Sequence, residues 1–410
     1  ATTDPLGRAT RFTYDAQGNV ASLTDPASNA RTFTYELTFN RVTSITDPLG
    51  QVTQFSYDAQ GNLTAITDPL GARTSLVYNA FGQPVSTTDA LLKTTTFAYD
   101  AQGNLTTITD PLGNTTRRSY DALSRLSDQA DPRGHATHFA YDPLNRLTEI
   151  SDARGGLTRF SYDPNGNLLT VTDARGNAIT HTYDSMDRLA TRTDPVAATE
   201  SFQYDAAGNL ARHTDRKGQV ATFTFDALNR RTGAAYADGS STSFTYDAAG
   251  RLLQASDSVG GTILNSYDSL DRLLAQSTGL GTISYQYDPL GRRTRMDAPG
   301  QASVFYGYDA TSRLRTITQA PLNPVTLDYD TLGRRTLLTL PNGVSTAYQY
   351  DSASRLTALI YRNALGPLGD LTYQYDQAGN RTRIGGSFAR TLLPDPVPSA
   401  TYDPANRQLT

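Results

Sequence analysis

The sequence of 410 residues contains no cysteine. Neither a disulfide frame nor a thiolate metal site can be built from it. An exported protein that must avoid mispairing and a neutral bias in composition both account for that absence. Lysine is nearly as scarce: Lys93 and Lys217 are the only ones, and arginine carries almost all the positive charge. The net charge of -4 is too small to steer the protein toward nucleic acid. Apolar runs of roughly 18 residues are missing, so no membrane-spanning helix is expected in this segment. No signal peptide is recognisable at the start of the chain.

Histidine occurs four times, as His135, His138, His181 and His213. His135 and His138 stand at a metal-binding spacing for a helix, but on a strand they point to opposite faces. No catalytic triad is marked by any His near a nucleophile and a carboxylate. Carboxylates recur at regular intervals along the whole chain, which points to turn chemistry instead of one acid–base site. Asp-x-x-Gly-Asn loops offer oxygen ligands for calcium. They lack the dense carboxylate set of an EF-hand loop and the Gly-Gly-x-Gly-x-Asp of calcium β-rolls. The expectation is a protein that is not an enzyme, with no catalytic residue, no bound metal and no cofactor.

What fills the chain is a repeat. An aromatic residue followed by an acidic or amide residue recurs nineteen times from Tyr14 to Tyr402, mostly at intervals of 21 residues. The clearest markers are Tyr14-Asp15 with Gly18, Tyr57-Asp58 with Gly61 and Tyr99-Asp100 with Gly103. Tyr162-Asp163 with Gly166 and Tyr204-Asp205 with Gly208 repeat the pattern. In Thr53-Gln54-Phe55-Ser56-Tyr57 the aromatic residues alternate with polar ones, the period-two signature of a strand. Asp58-Ala59-Gln60-Gly61-Asn62 then closes a short hairpin, with Gly supplying the positive φ. Leu63 to Thr67 forms the return strand. Leu63 and Ile66 would face opposite sides of a regular strand, so either both faces are partly covered or a bulge re-aims one of them. Asp68-Pro69-Leu70-Gly71 suits a type I turn and leads into the next repeat. Strand, turn, strand and turn use the whole period and leave no room for a helix.

Arginine recurs just after the Tyr-Asp turn, as Arg125, Arg146, Arg188, Arg230, Arg251 and Arg272. One per repeat makes a ladder, and its arginines are expected to pair with turn carboxylates or lie over Tyr rings. The repeats read as a single segment over 1–410, with irregular, longer units over 351–410. The stretch from Gly385-Gly386 to Pro398 is too rich in proline and glycine for a central strand and reads as a projecting loop. The start without Met and the end in mid-repeat read as an excerpt of a larger protein.

Phe-x-Tyr-Asp-x-x-Gly-Asn/Arg-Leu followed by Asp-Pro-x-Gly resembles the YD repeat of the Rhs proteins, of the C component of insecticidal Tc toxins and of teneurins. The motif is specific, and the resemblance covers about the whole chain. It implies a β-strand strip that spirals into a hollow shell. In bacterial relatives that shell encloses a C-terminal toxin segment. Those relatives usually end in a plug with an aspartyl autoprotease site and then a variable toxin. Neither is found in this sequence.

The fold class expected is therefore all-β: tandem hairpin repeats of about 21 residues forming a continuous coiled sheet, hollow shell or spiral barrel. Nineteen hairpins supply about 38 strands, and at roughly 4.8 Å per strand the strip is about 180 Å long. Closed into one ring it would be roughly 60 Å across. Cross-strand packing of Phe and Tyr between successive repeats is expected to hold such a sheet. The functional expectation is a secreted or cell-surface structural shell. Its partner is the remainder of the same polypeptide, a C-terminal toxin cargo. The alternative is an adhesion or filament protein that self-associates through edge strands or binds glycans through exposed Tyr rings.

Overall fold

The structure, a computed structural model, describes residues 1–390 and residue 401. Among the described residues 37 strands form one antiparallel sheet, each strand pairing with those before and after it in the chain. The first strand, Thr2–Thr3, and the last, Arg381–Gly385, do not pair with each other, so the sheet is unclosed. The other regular element is a single 3-10 turn, Ser387–Arg390. No helix of the described residues is long and apolar enough to cross a membrane.

Val52–Tyr57 and Leu63–Thr67 show how the repeat folds. Phe55 opposes Ile66 and Ser56 opposes Ala65, but Tyr57 opposes Leu63, so Thr64 is an extra residue in the return strand. This bulge decides the question left by the spacing of Leu63 and Ile66. It re-aims Leu63 so that both lie on the face of Phe55 and Tyr57. The same slip precedes Tyr14, Tyr99, Tyr162 and Tyr204. The pairing across the Asp-Pro turn runs without one, as in Ala65 opposite Ser75 and Thr67 opposite Arg73.

The two turns of the regular repeat share one backbone. The carbonyl of Asp58 accepts from the Gly61 N–H at 3.0 Å, and the Asp58 N–H donates to the Asn62 carbonyl at 3.0 Å. At the Asp-Pro turn, Asp4 bonds Gly7 at 2.9 Å and Arg8 at 3.2 Å in the same way. Each is a type I turn followed by a residue in the left-handed region, a G1 bulge. Gly61 takes that position at φ 81° and Gly7 at φ 76°. Elsewhere Asn145, Asp187, Ser124 and Leu92 hold it at φ between 58° and 64°, at a cost of roughly 1 kcal/mol each.

A conventional core is missing. Among the described residues the buried apolar side chains are Ala65, Ala234, Leu327, Ala358 and Ala389. The sheet is a single layer, and it winds. Arg8 meets Asp271, 263 residues on, and Arg133 meets Asp376, 243 residues on. Between them, Thr331 lies beside Leu70 and Gly71. The strip thus returns over itself after about 12 repeats. Roughly 24 strands at about 4.8 Å give a winding about 115 Å round and about 37 Å across. Packed sheets sit only about 10 Å apart, so side chains cannot fill a winding this wide and a lumen remains.

This corrects the single ring of roughly 60 Å: the repeats make about one and a half windings, because strand twist carries the strip past its own start. Ring-on-ring packing between repeats also fails as the main tie. Successive Tyr strands are separated by a return strand and therefore lie about 10 Å apart, too far for rings to touch. Phe202–His213 and Tyr361–Phe388 are the ring pairs found among the described residues.

Leu356–Asn363 and Gly366–Tyr375 form a longer hairpin with Asn363 opposite Gly366, so Leu365 projects at its tip. The stretch expected as a projecting loop begins differently. Gly385 ends a strand, and the 3-10 turn follows with Phe388 5.2 Å from Tyr361. Ser387 Oγ also donates to Asp370 at 2.9 Å. Ring contact and hydrogen bond hold those first residues against the sheet. Residues 391–398 and Tyr402 lie outside the described residues.

Candidate functional site

The chemistry of the chain is concentrated at its Tyr-Asp turns. The hydroxyl of Tyr57 donates to the Val42 carbonyl, fifteen residues earlier, at 2.8 Å. Tyr99, Tyr162 and Tyr204 do the same to Pro84, Leu147 and Leu189 at 2.9, 2.9 and 3.0 Å. Each tyrosine is therefore tied to the preceding repeat. Tyr14 has no such bond and is 61% exposed. Burial pushes the Tyr57 hydroxyl above its ordinary value.

The Asp that follows closes its own turn. Asp58 Oδ1 accepts from the Gln60 and Asn62 N–H groups at 3.0 and 2.8 Å, and Oδ2 accepts from the Asn62 side chain at 3.0 Å. Asp15, Asp100, Asp163 and Asp205 each accept likewise from the Asn four residues on. The Asn62 amide, against burial and with the backbone bonds, holds Asp58 below the usual carboxylate range. Gly18, Gly103, Gly166 and Gly208 occupy the left-handed position of those turns, as Gly61 does.

Asn19, Asn167 and Asn209 also reach a side chain of the next turn, and where arginine replaces asparagine the turn reaches the next repeat's backbone and ring. Arg272 donates from Nε to Asp268 at 2.6 Å and from Nη1 to the carbonyl of Asp288, in the next repeat, at 2.8 Å. Its guanidinium lies 5.0 Å from the Tyr287 ring. Arg125, Arg146, Arg188, Arg230 and Arg251 lie similarly over Tyr141, Tyr162, Tyr204, Tyr246 and Tyr267 at 4.6–5.0 Å. One arginine thus pairs with its own turn carboxylate and covers the next tyrosine.

Sequence reasoning missed a second arginine set. Arg231 lies 4.4 Å from the Phe223 ring and 5.6 Å from Phe244, and Arg293 lies 4.5 and 5.9 Å from Tyr285 and Tyr306. They stand where other repeats have Leu, and the guanidinium fills the gap between aromatic strands. The signal was available as the doublets Arg230-Arg231, Arg292-Arg293 and Arg334-Arg335.

The four histidines are not brought together. His135 Nδ1 lies 3.2 Å from Asp131, His138 pairs with Asp128, and His213 stacks on Phe202 beside Glu200. Buried His181 Nδ1 has no partner. Among the described residues no group of three or more His, Asp or Glu could hold a metal ion.

The windings meet along a seam in which an Asp-Pro turn edge rests on a Tyr-Asp turn edge. Arg8 donates to the Ser269 carbonyl at 3.1 Å and to Asp271 at 2.6 and 3.1 Å, while Arg251 reaches Asp271 at 3.1 Å. Arg133 Nη1 donates to Asp376 at 3.0 Å. Burial follows the seam. The third residue of each regular Tyr-Asp turn is exposed as far as Leu228 and half-buried from Ala249 on, at Leu270, Leu290 and Leu332.

No curated protein matches the sequence. Solved structures share the fold. The crystal structure of TcdB2–TccC3–Cdc42 superposes with a TM-score of 0.80 at 15% identity, covering 97% of this chain and 26% of that one. A Photorhabdus luminescens Tc holotoxin pore carrying a TccC3 mutation gives 0.80 at 15% identity, covering 97% and 25%. TcdB2–TccC3 without its hypervariable C-terminal region gives 0.79 at 15% identity, covering 97% and 26%. The chain spans about a quarter of the length of these structures. The RHS Repeat family matches residues 1–30, 38–73, 78–115 and 99–132, and the Teneurin YD-shell family matches 120–263 and 261–384. Matched over more than half its length by the YD-shell and along its opening repeats by the RHS Repeat, the chain belongs to the Rhs/YD-repeat family, and its role is that of a structural shell.

Proposed function

We propose that this shell wall encloses another part of the same polypeptide, a C-terminal toxin-like segment, and shields the producing cell from it until delivery outside. The observation that carries the reading is a single-layer sheet wound about 37 Å wide with almost no buried apolar residue among the described residues. A wall of this kind is stabilised by ties between neighbouring repeats, so its lumen need not be filled. The repeat markers Tyr57, Asp58 and Gly61 and their equivalents serve as those ties. The likeness to TcdB2–TccC3 agrees in fold, and a secreted or cell-surface location follows from the same reading. On this reading residues 1–410 act as one shell segment, and the wall itself does no chemistry.

The test is electron microscopy of the parent polypeptide together with limited proteolysis. Closed particles with internal density, and a segment cleaved only after the wall is denatured, are expected. Empty particles whose remaining segments are cleaved as fast as free peptide would overturn enclosure.

A further inference from the structure

The chain contains a worked example of how its two turn edges bind each other. In the seam, the Asp-Pro turns from Asp4 to Arg133 cover the Tyr-Asp turns from Asp268 to Asp376. There Leu270, Leu290 and Leu332 are half-buried, and arginines cross to Asp271 and Asp376. The opposite edges of the strip carry the same turns uncovered. On the free Tyr-Asp rim, Leu123 and Leu144 are exposed, as are Met186 and Leu228 at 64% and 68%. On the free Asp-Pro rim, Val196, Val259 and Leu280 are exposed at 83%, 85% and 96%. The seam counterparts Leu6, Leu49, Leu70 and Leu112 stand at 38–53%, and Leu322 on the free rim at 57%.

Charge is arranged the same way. Asp187 holds on the free Tyr-Asp rim the left-handed turn position that Asp271 holds in the seam. Arg175 and Lys217 hold on the free Asp-Pro rim the turn position from which Arg133 reaches Asp376. Each rim thus presents the apolar and charged groups that the other binds within the same molecule. A net charge of -4 sets little repulsion against a copy approaching another.

We infer that the free Tyr-Asp rim is a docking surface for the free Asp-Pro rim of a second copy of this chain. The contact is heterologous: one copy offers one rim and the next copy the other. Each added copy leaves one rim of each kind open, so the assembly extends as a stack. Pairing runs turn to turn across the rims and leaves the terminal strands Thr2–Thr3 and Arg381–Gly385 outside the contact.

Sedimentation velocity of the 410-residue chain over a hundredfold range of concentration tests this, with electron microscopy of the fast species. Sedimentation coefficients that rise beyond a dimer, and rise less in high salt, are expected. Two double variants follow, Met186→Asp with Leu228→Asp on one rim and Val259→Asp with Leu280→Asp on the other. Every replaced residue is exposed, so melting of the isolated copies should be unchanged, and each variant alone should be monomeric. Mixed in equal amounts they should form dimers and nothing larger, because each supplies the one rim the other retains. A wild-type chain that stays monomeric throughout overturns the inference. So does association unaffected by either variant, which would place the contact at the strand edges, a variant that dimerises on its own, which would mean like rims pair, or a mixture that stays monomeric.

Discussion

The opening repeats and those after Tyr246 use one backbone turn and fasten it differently. Up to Asn104 the cap is mostly an amide. Asn62 and Asn104 bond the Asp of their own turns, and Asn19 and Gln83 also reach Asn40 and the Gly103 carbonyl in the next turn, but no amide brings a charge over the next tyrosine. From Arg251 to Arg355 every Tyr-Asp turn is capped by arginine, which also covers the next tyrosine. From the Asp268 turn on, these arginine-capped turns lie beneath the first winding. The one seam turn with an amide cap, Asp376 to Asn380, receives Arg133 from the other winding instead. Closing a turn takes only a hydrogen-bond donor at the fifth position. Covering the next tyrosine as well takes a side chain that is both long and charged.

Acid should have the largest effect, because it acts on what the two regions share. Arg125, through its side chain first, holds Asp121 below its ordinary value of 3.8, and Asn62 does the same for Asp58. A carboxyl with a lowered folded value contributes stability that is complete above the unfolded value and lost as pH falls through the folded one. The urea midpoint should therefore be flat from about pH 7 to 5 and fall below about pH 4. A midpoint unchanged down to pH 3 would remove the turn carboxylates as a source of stability.

Next is the tyrosine. Tyr162→Ala removes a half-buried ring, the bond to Leu147 and the ring beneath Arg146. It should cost about 2–4 kcal/mol, read as a lower denaturation midpoint. Tyr14→Ala, at an exposed ring with no such bond, should cost under about 1 kcal/mol. Equal losses would break the idea that the tie to the preceding repeat matters.

The caps come third and sharpen the comparison directly. Arg272→Ala leaves Asp268 without its partner and Tyr287 without its cover, and should cost about 2 kcal/mol. Asn62→Ala, which loses one local bond, should cost about 1 kcal/mol. If the asparagine change costs as much as the arginine change, the forward contacts contribute nothing.

The seam gives the smallest expected shift. Asp271 is half exposed, so Arg8→Ala should cost no more than about 1 kcal/mol after solvent screening, and the loss should shrink further in high salt. Its clearer readout is hydrogen exchange, with Leu270 and its neighbours losing protection while the second winding's other hairpins keep theirs.

Most of the repeat was legible in the sequence, because its determinants lie within a few residues of one another. Alternating Thr, Phe and Tyr make a strand. Asp with Gly three residues on makes the turn. The interval from Tyr267 to Tyr287, one residue short of the usual period, shows as the tight hairpin with Thr278 opposite Gly281. The bulge was half legible: the spacing of Leu63 and Ile66 demanded a bulge or two covered faces, and the register chose the bulge. The arginine ladder was legible as a row, but its direction, own Asp first and next Tyr second, needed coordinates. The Arg231 and Arg293 positions were overlooked because a charged residue on an aromatic face reads as a fault until a ring is found on either side of it.

What the sequence determined by itself is therefore everything set by local chemistry: strands, turns and the two-faced sheet. What only the tertiary structure decided is how far the strip travels before it meets itself, and hence which turns are covered and which are free. No residue specifies that distance. It is the sum of small strand-to-strand rotations over about 12 repeats, and it brings Arg8 to Asp271 across 263 residues that carry no mark of their meeting.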